Sequence, residues 1–303
     1  MDTPRTALPT WHAGETFIQD RLGVRARLAE VGPRVIRPFM PDQHRAFYQQ
    51  LPFLVVGSVD ATGATWATIL EGPPGFLQSP TATTLDIAAA PALDDPASAG
   101  LSEGAAVGLL GIELHSRRRN RLNGTLTRTA RGFQLAVEQS FGNCPRYIHP
   151  RDLQITEPAH SLPTAERLPH LDAAARTLIE RADTCFVASY AEPNGRRQVD
   201  VSHRGGAPGF VRVGDDGLLT LPDFSGNLFF NTLGNIVLNG QASLLFVDFA
   251  RGDMLHLSGT AEVLFEAPEI AAFPGAERLW TFRPRSLVRR RGALALRWAS
   301  RLP

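Results

Sequence analysis

Between Asp200 and Gly259 the chain carries the residue types that a phosphate group needs. Arg204 stands on a turn after a strand-like segment and brings a fixed charge in a planar fork that suits a phosphate monoester. Further on, a strand-like stretch over residues 217–222 leads through Asp223 and Phe224 to Ser225, Gly226 and Asn227, which sit at the opening of a short helical segment over 228–234. A strand that ends in a small polar turn and opens a helix presents unpaired N–H groups and a positive dipole end, and both favour an anion. The same residues also make an ordinary capped helix beside a surface arginine. Spacing alone leaves both readings open.

Composition removes several other chemistries. Lysine plus arginine number 31, and every one is arginine. Without lysine there is no internal Schiff base for pyridoxal phosphate and no Walker-type phosphate loop. Two cysteines, Cys144 and Cys185, are too few for a disulfide framework and lack metal-ligand spacing. Glu113, His115 and His203 have no second pair at ligand spacing, so no metal site is expected. A formal charge of +1 gives no general drive toward nucleic acid. The run Arg117 to Arg121 reads as a solvated hairpin tip, and the arginines from Arg278 onward as a solvated final strand. No apolar run approaches the roughly 20 residues of a membrane span, and the opening residues, Met1 to Thr6, lack the apolar stretch of a secretory signal. A cytoplasmic protein with reduced thiols is expected.

The elements that must position these residues recur. Residues 18–50 read mainly as helix, with a second helix opening at Pro41-Asp42, and are expected to pack rather than react. Residues 53–59 and 65–70 then read as a hairpin. The same layout returns at 186–190 and 198–202. Gly63 matches Gly195 at an offset of 132, Pro74-Gly-Phe76 matches Pro208-Gly-Phe210 at 134, and Leu109-Leu110 and Leu122-Asn-Gly-Thr125 match Leu244-Leu245 and Leu257-Ser-Gly-Thr260 at 135. Slowly growing offsets fit a duplication with short loop insertions. The expected fold is mainly β with flanking helices, an α+β chain of two tandem antiparallel barrels divided into residues 1–160 and 161–303. A linker and helix over 161–183 separate the halves, 269–279 reads as a helix, and 280–298 as one or two returning strands.

The segments Ser202-His-Arg-Gly-Gly206, Pro222-Asp-Phe-Ser-Gly-Asn227, Phe230-Asn-Thr-Leu-Gly-Asn-Ile236 and Leu244-Leu-Phe-Val-Asp-Phe249 resemble the pyridoxamine 5'-phosphate oxidase-related, FMN-binding split-barrel family, and more closely its flavin-nucleotide-binding branch. The resemblance runs from about Gly23 to Trp298. It implies split barrels, non-covalent FMN, an oxidoreductase acting on a small-molecule substrate, and a homodimer. Electrons would come from a reduced nicotinamide, a separate reductase or the substrate. Around the phosphate and ribityl chain it implies Ser202, His203, Arg204, Pro222, Asp223, Asn227, Asn231 and Thr232, with Ser225 at the turn. No acid or base is implied. A non-catalytic flavin-binding protein and a haem-handling split barrel are the alternatives. Asn143, Cys144, Arg146 and Tyr147 lie in a segment that also resembles this branch and could face flavin or substrate. The competing reading is a helix start with Pro145 at its first position. In the first half Asp94 and Asp95 stand near the turn equivalent to 222–227, where two carboxylates would repel a phosphate. That half is expected to be degenerate for FMN, a structural partner that walls the pocket.

Overall fold

The computed structural model describes residues 9–154 and 164–301. The readings of residues 1–6 and of the start of the linker at 161 fall outside them. Three helices come first, α1 (Ala13–Arg21), α2 (Arg25–Val35) and α3 (Asp42–Gln49), followed by seven strands: β1 (Phe53–Val59), β2 (Thr65–Glu71), β3 (Leu77–Thr81), β4 (Thr84–Ile87), β5 (Ala106–Glu113), β6 (Arg118–Thr129) and β7 (Gly132–Gly142). Short strands β8 (Arg151–Gln154) and β9 (Ala165–Leu168) and helix α4 (Ala173–Arg181) precede a second set. That set is β10 (Thr184–Ala191), β11 (Gln198–Gly205), β12 (Arg212–Val213), β13 (Leu219–Phe224), α5 (Asn231–Asn239), β14 (Gln241–Asp248), β15 (Asp253–Leu264) and β16 (Ala276–Arg290), with β17 (Arg297–Ser300) last.

The two sheets are antiparallel and have the same strand order, β2-β1-β5-β6-β7-β4-β3 and β11-β10-β14-β15-β16-β13-β12. The repeat extends to register, since Val56 faces Leu109 in one half and Val187 faces Leu244 in the other. It extends to the bulges as well. Register shifts fall at Asn123/Gly124 and at Ser258/Gly259, within the matched Leu-x-Gly-Thr segments. A Cβ on Gly124 or Gly259 would lie 2.1 Å from a carbonyl oxygen of the facing strand, which is why glycine occupies both bends. The chain is therefore two tandem split barrels.

The barrels share a buried seam. Phe53, Val55, Ile69, Leu110 and Ile112 pack with Phe186, Ala188, Val201 and Leu245 in one apolar cluster. Gly57 and Gly108 allow the approach, because a Cβ on either would fall 2.8–2.9 Å from Ala188 or Asp200. The chain ends cross the seam in opposite directions. Ile18 of α1 is buried in the core of the second half, while β17 pairs with β8 and Trp298 stacks edge-on against Phe53.

Several expectations are corrected. Residues 269–279 are not a helix: a short 3-10 turn (Pro268–Ala272) ends before Pro274, Gly275 adopts φ +82°, and β16 starts at Ala276. No helix starts at Pro145. The helix placed at 228–234 begins at Asn231, since Leu228 and Phe230 take left-handed φ of 64° and 63°. Arg278, Arg289 and Arg290, all on β16, are buried and ion-paired, not solvated. Among the described residues no helix is long and apolar enough to cross a membrane, and no group of three or more His, Cys, Asp or Glu could hold a metal.

Candidate functional site

A cavity of about 100 Å³ lies at the seam. From the second half come His203 and Arg204 at the end of β11, Pro222 and Asp223 on β13, the approach to α5, and Arg278 on β16. The first half contributes Arg119 and Arg121 of β6 together with Asn143, Cys144, Arg146 and Tyr147 beyond β7. Of the thirteen positions proposed from sequence, eleven line this one cavity. The other two support it. Ser202 is buried behind the wall with its Oγ 2.8 Å from Thr232 Oγ1, tying β11 to the first turn of α5. The Ser225 carbonyl accepts from the Tyr147 hydroxyl at 3.0 Å and joins the halves.

Five guanidinium groups and three carboxylates make the local charge. Asp223 accepts from Arg204 at 2.7 Å and from Arg278 at 2.6 Å, so it positions two arginines and does not itself face an anion. Glu277 pairs with Arg278 at 2.7 Å. Asp200 takes both its contacts from Arg121, at 2.8 and 2.9 Å, and the same guanidinium donates to Asn231 Oδ1 at 3.2 Å. Arg119 and Arg146 bring the guanidinium count to five, an excess of two over Asp200, Asp223 and Glu277. Arg119 is held by uncharged groups: Nε donates to the Cys144 carbonyl at 2.9 Å, and Nη1 lies 3.1 Å from His203 Nδ1. A guanidinium can only donate, so His203 Nδ1 accepts and its proton sits on Nε2. Burial, then the charges of Arg119 and Arg151, hold His203 well below its ordinary range, so it is neutral. Burial and the nearby Arg121 pull Arg119 itself down to about 10, still a cation at neutral pH.

The cavity collects unsatisfied polar atoms. Arg121 Nε, Arg204 Nε, His203 Nε2 and Asn143 Oδ1 are buried without a partner, and all four residues line it. Three of these atoms are donors, which normally have an acceptor when buried, and the fourth, Asn143 Oδ1, is an acceptor. α5 adds to them, for no side chain caps it and its first two residues, Asn231 and Thr232, line the wall. The tripeptide Ser225 to Asn227 does not open this helix, since it lies four residues upstream, and Asn227 Oδ1 instead accepts from Phe229 N–H at 3.1 Å. Tyr147 stacks on Phe224 with ring centroids 5.1 Å apart.

Sequence reasoning missed Arg119, Arg121 and Arg278. Arg119 and Arg121 were assigned to a solvated hairpin tip, but only Arg117 and Arg118 are exposed. Strand alternation within Arg-Asn-Arg was the available signal, since residues two apart share one face.

The equivalent place in the first half is filled by the chain itself. Val55 pairs with Ile69 and Leu110, as Phe186 pairs with His203 and Leu245, so Leu70 stands for Arg204. Leu110 pairs with Arg121 and Leu245 with His256, so His256 stands for Arg121. Arg290 donates to Asp94 at 2.8 Å and Asp95 at 2.9 Å, while Glu71 accepts from Ala295 N–H at 2.6 Å and Leu296 N–H at 3.0 Å. Asp94 and Asp95 thus do not close the place by repelling an anion. Their charge is matched by Arg290, and a protein cation occupies the space.

No family model and no curated protein matches this chain. Solved structures similar to it include the FAD binding protein from Mycobacterium smegmatis, at 13% identity over 40% of this chain and 97% of that one, TM-score 0.29. A protein related to general stress protein 26, of the pyridoxinephosphate oxidase family, from Clostridium acetobutylicum is 17% identical over 42% of this chain and 92% of that one, TM-score 0.28. HutZ, the heme storage protein from Vibrio cholerae, is 16% identical over 39% of this chain and 93% of that one, TM-score 0.28. Each of these likenesses covers about two fifths of this chain.

Proposed function

We propose that the chain is a flavoprotein that holds FMN non-covalently at the seam and acts as an oxidoreductase on a small-molecule substrate. One observation carries this reading: the wall of one cavity holds an excess of two positive charges, and three of its residues, Arg121, Arg204 and His203, carry a buried donor without a partner. The fit is to the phosphate end of the nucleotide. At about 100 Å³ the space suits a phosphate group, well below the roughly 300 Å³ at which pockets for whole drug-sized ligands begin. Arg119, Arg121 and Arg204 would hold the phosphate with the first turn of α5, and Tyr147 and Phe224 offer aromatic faces to a planar ring. Bound flavin supplies hydride or single-electron transfer. This chain's side chains bind and orient it, and none is assigned as acid or base. A reduced nicotinamide or a separate reductase is the proposed donor, in a cytoplasmic setting that keeps Cys144 and Cys185 reduced.

The test is the absorption spectrum of the purified protein and mass identification of whatever denaturation releases. FMN released on denaturation, or micromolar rebinding of FMN to the apo-protein, supports the reading. A Soret band on adding haemin with no flavin affinity would replace it. Bleaching of bound flavin by NADH or NADPH, followed by reoxidation, separates an enzyme from a protein that only stores or senses FMN.

A further inference from the structure

Glu15, on the N-terminal helix, is only 4% exposed and takes part in the wiring of the anion cavity. Its two carboxyl oxygens accept, one from the His12 N–H at 2.8 Å and the other from the Asn231 side-chain amide. Asn231 in turn accepts from Arg121 through Oδ1. A continuous hydrogen-bonded path therefore runs from Glu15 through the half-buried Asn231 to Arg121 and Asp200. Glu15 cannot withdraw from it easily. α1 crosses α5 glycine to glycine, and a Cβ on Gly14 would lie 2.0 Å from the Gly234 carbonyl oxygen.

The groups facing Glu15 come from four elements. At the start of α1, His12 Nε2 lies 3.6 Å away. His12 is neutral: Nδ1 accepts from Gly14 N–H at 3.1 Å, Nε2 donates to Asn235 Oδ1 at 2.8 Å, and burial lowers its pKa. α5 presents the uncharged Asn231 and Asn235, β11 presents Asp200, and β6 presents Arg121. The charged Asp20 and Arg21 of α1 are exposed and pair outward with Arg25 and Glu266. Burial dominates and pushes Glu15 up to about 8.

We propose that Glu15 is a positioning residue of the anion site: in its protonated form it holds Asn231, and through it Arg121, in the arrangement that binds an anion, and its ionisation weakens that binding. With the proton present, Arg121 faces one buried carboxylate, Asp200. When the proton leaves to solvent, a second negative charge joins the same low-dielectric cluster and opposes the incoming anion. The proposal rests on the cavity being an anion site, not on the anion being FMN.

The experiment is calorimetric titration of the full chain with sodium sulfate, which stays a dianion from pH 6.5 to 9, at constant ionic strength. Wild type should lose about tenfold in affinity between pH 7 and pH 9, one decade being about 1.4 kcal/mol. Glu15→Gln, whose one amide oxygen keeps the contact to Asn231 while the His12 N–H loses its acceptor, should bind like wild type at pH 7 and show no such loss. A carbon-13 titration of the Glu15 carboxyl gives a second reading that needs no variant. A flat wild-type profile, the same slope in Glu15→Gln, or a carboxyl that titrates below pH 6 overturns the proposal. Sulfate binding with the expected slope but no FMN binding removes FMN and keeps Glu15. No binding of either at pH 7 overturns both.

Discussion

Arg119 and Arg121 lie two residues apart on β6, yet they answer for different charges. Replacing Arg119 by Met strands no buried acid, so the fold should hold while FMN affinity falls by about one to two orders of magnitude. Arg121→Met leaves Asp200, 3% exposed, without its cation. It should cost about 3–5 kcal/mol of stability as well as affinity. Thermal denaturation beside flavin titration separates the two, and equal Tm losses would show the charge assignment to be wrong. Arg204→Ala leaves Asp223 bonded to Arg278. It should lower affinity by roughly 1.5–3 kcal/mol with little change in stability, and unchanged affinity would remove Arg204 from the site.

Protonation at the buried sites gives stability a slope on both sides of neutrality. His12, His44, His203 and His256 are all held below their ordinary range, chiefly by burial. Below about pH 6.5 the unfolded chain takes up protons that the folded chain refuses, so stability should fall as pH drops from there. Glu15 has the opposite sign. Its folded value of about 8 exceeds the ordinary 4.5, so the folded chain keeps a proton that the unfolded chain has lost, and stability declines as pH rises from 4.5 to 8. Glu15→Gln should therefore lack this decline between pH 4.5 and 8, read from urea midpoints.

At the scale of elements, the contact that matters most to the site is the crossing of α1 and α5. A Cβ on Gly234 would lie 2.7 Å from the Glu15 backbone nitrogen and 3.0 Å from its Cα, so the neighbour that must yield is main chain. Gly234→Ala should cost about 1–3 kcal/mol. It should also weaken anion binding, because it shifts the helix that carries Glu15 against the helix that carries Asn231. Loss of stability with affinity intact would separate the α1 seat from the site.

For the whole molecule the expected stoichiometry is one ligand per chain. The place equivalent to the cavity holds Arg290, 3% exposed, with Asp94 and Asp95. Replacing both acids by Asn should therefore create no second site, and it should destabilise the fold by about 3–5 kcal/mol by stranding the guanidinium. Two FMN per wild-type chain would overturn this assignment. Both halves line the cavity within one chain. If sedimentation finds the expected homodimer, dilution that separates it should leave affinity unchanged.

The sequence by itself determined the architecture and gathered most of the residues that line one cavity. Alternation and turn residues are local, and a duplication repeats them, so the matched Leu-x-Gly-Thr segments and the offset hairpins disclosed two barrels before any contact was known. Arg204 and the 222–232 stretch were legible for the same reason, as residues close in sequence on elements that meet. Tertiary structure decided what those residues face. Arg119 reaches His203 across 84 residues, Arg121 reaches Asp200 across 79, and Glu15 reaches Asn231 across 216. No periodicity records such meetings, because burial and charge pairing at a seam depend on how two finished barrels pack. For that reason arginines that read as solvated became the wall of a cavity, and a helix that begins at Ala13, ahead of the stretch read as packing, brings Glu15 against Asn231 of that wall.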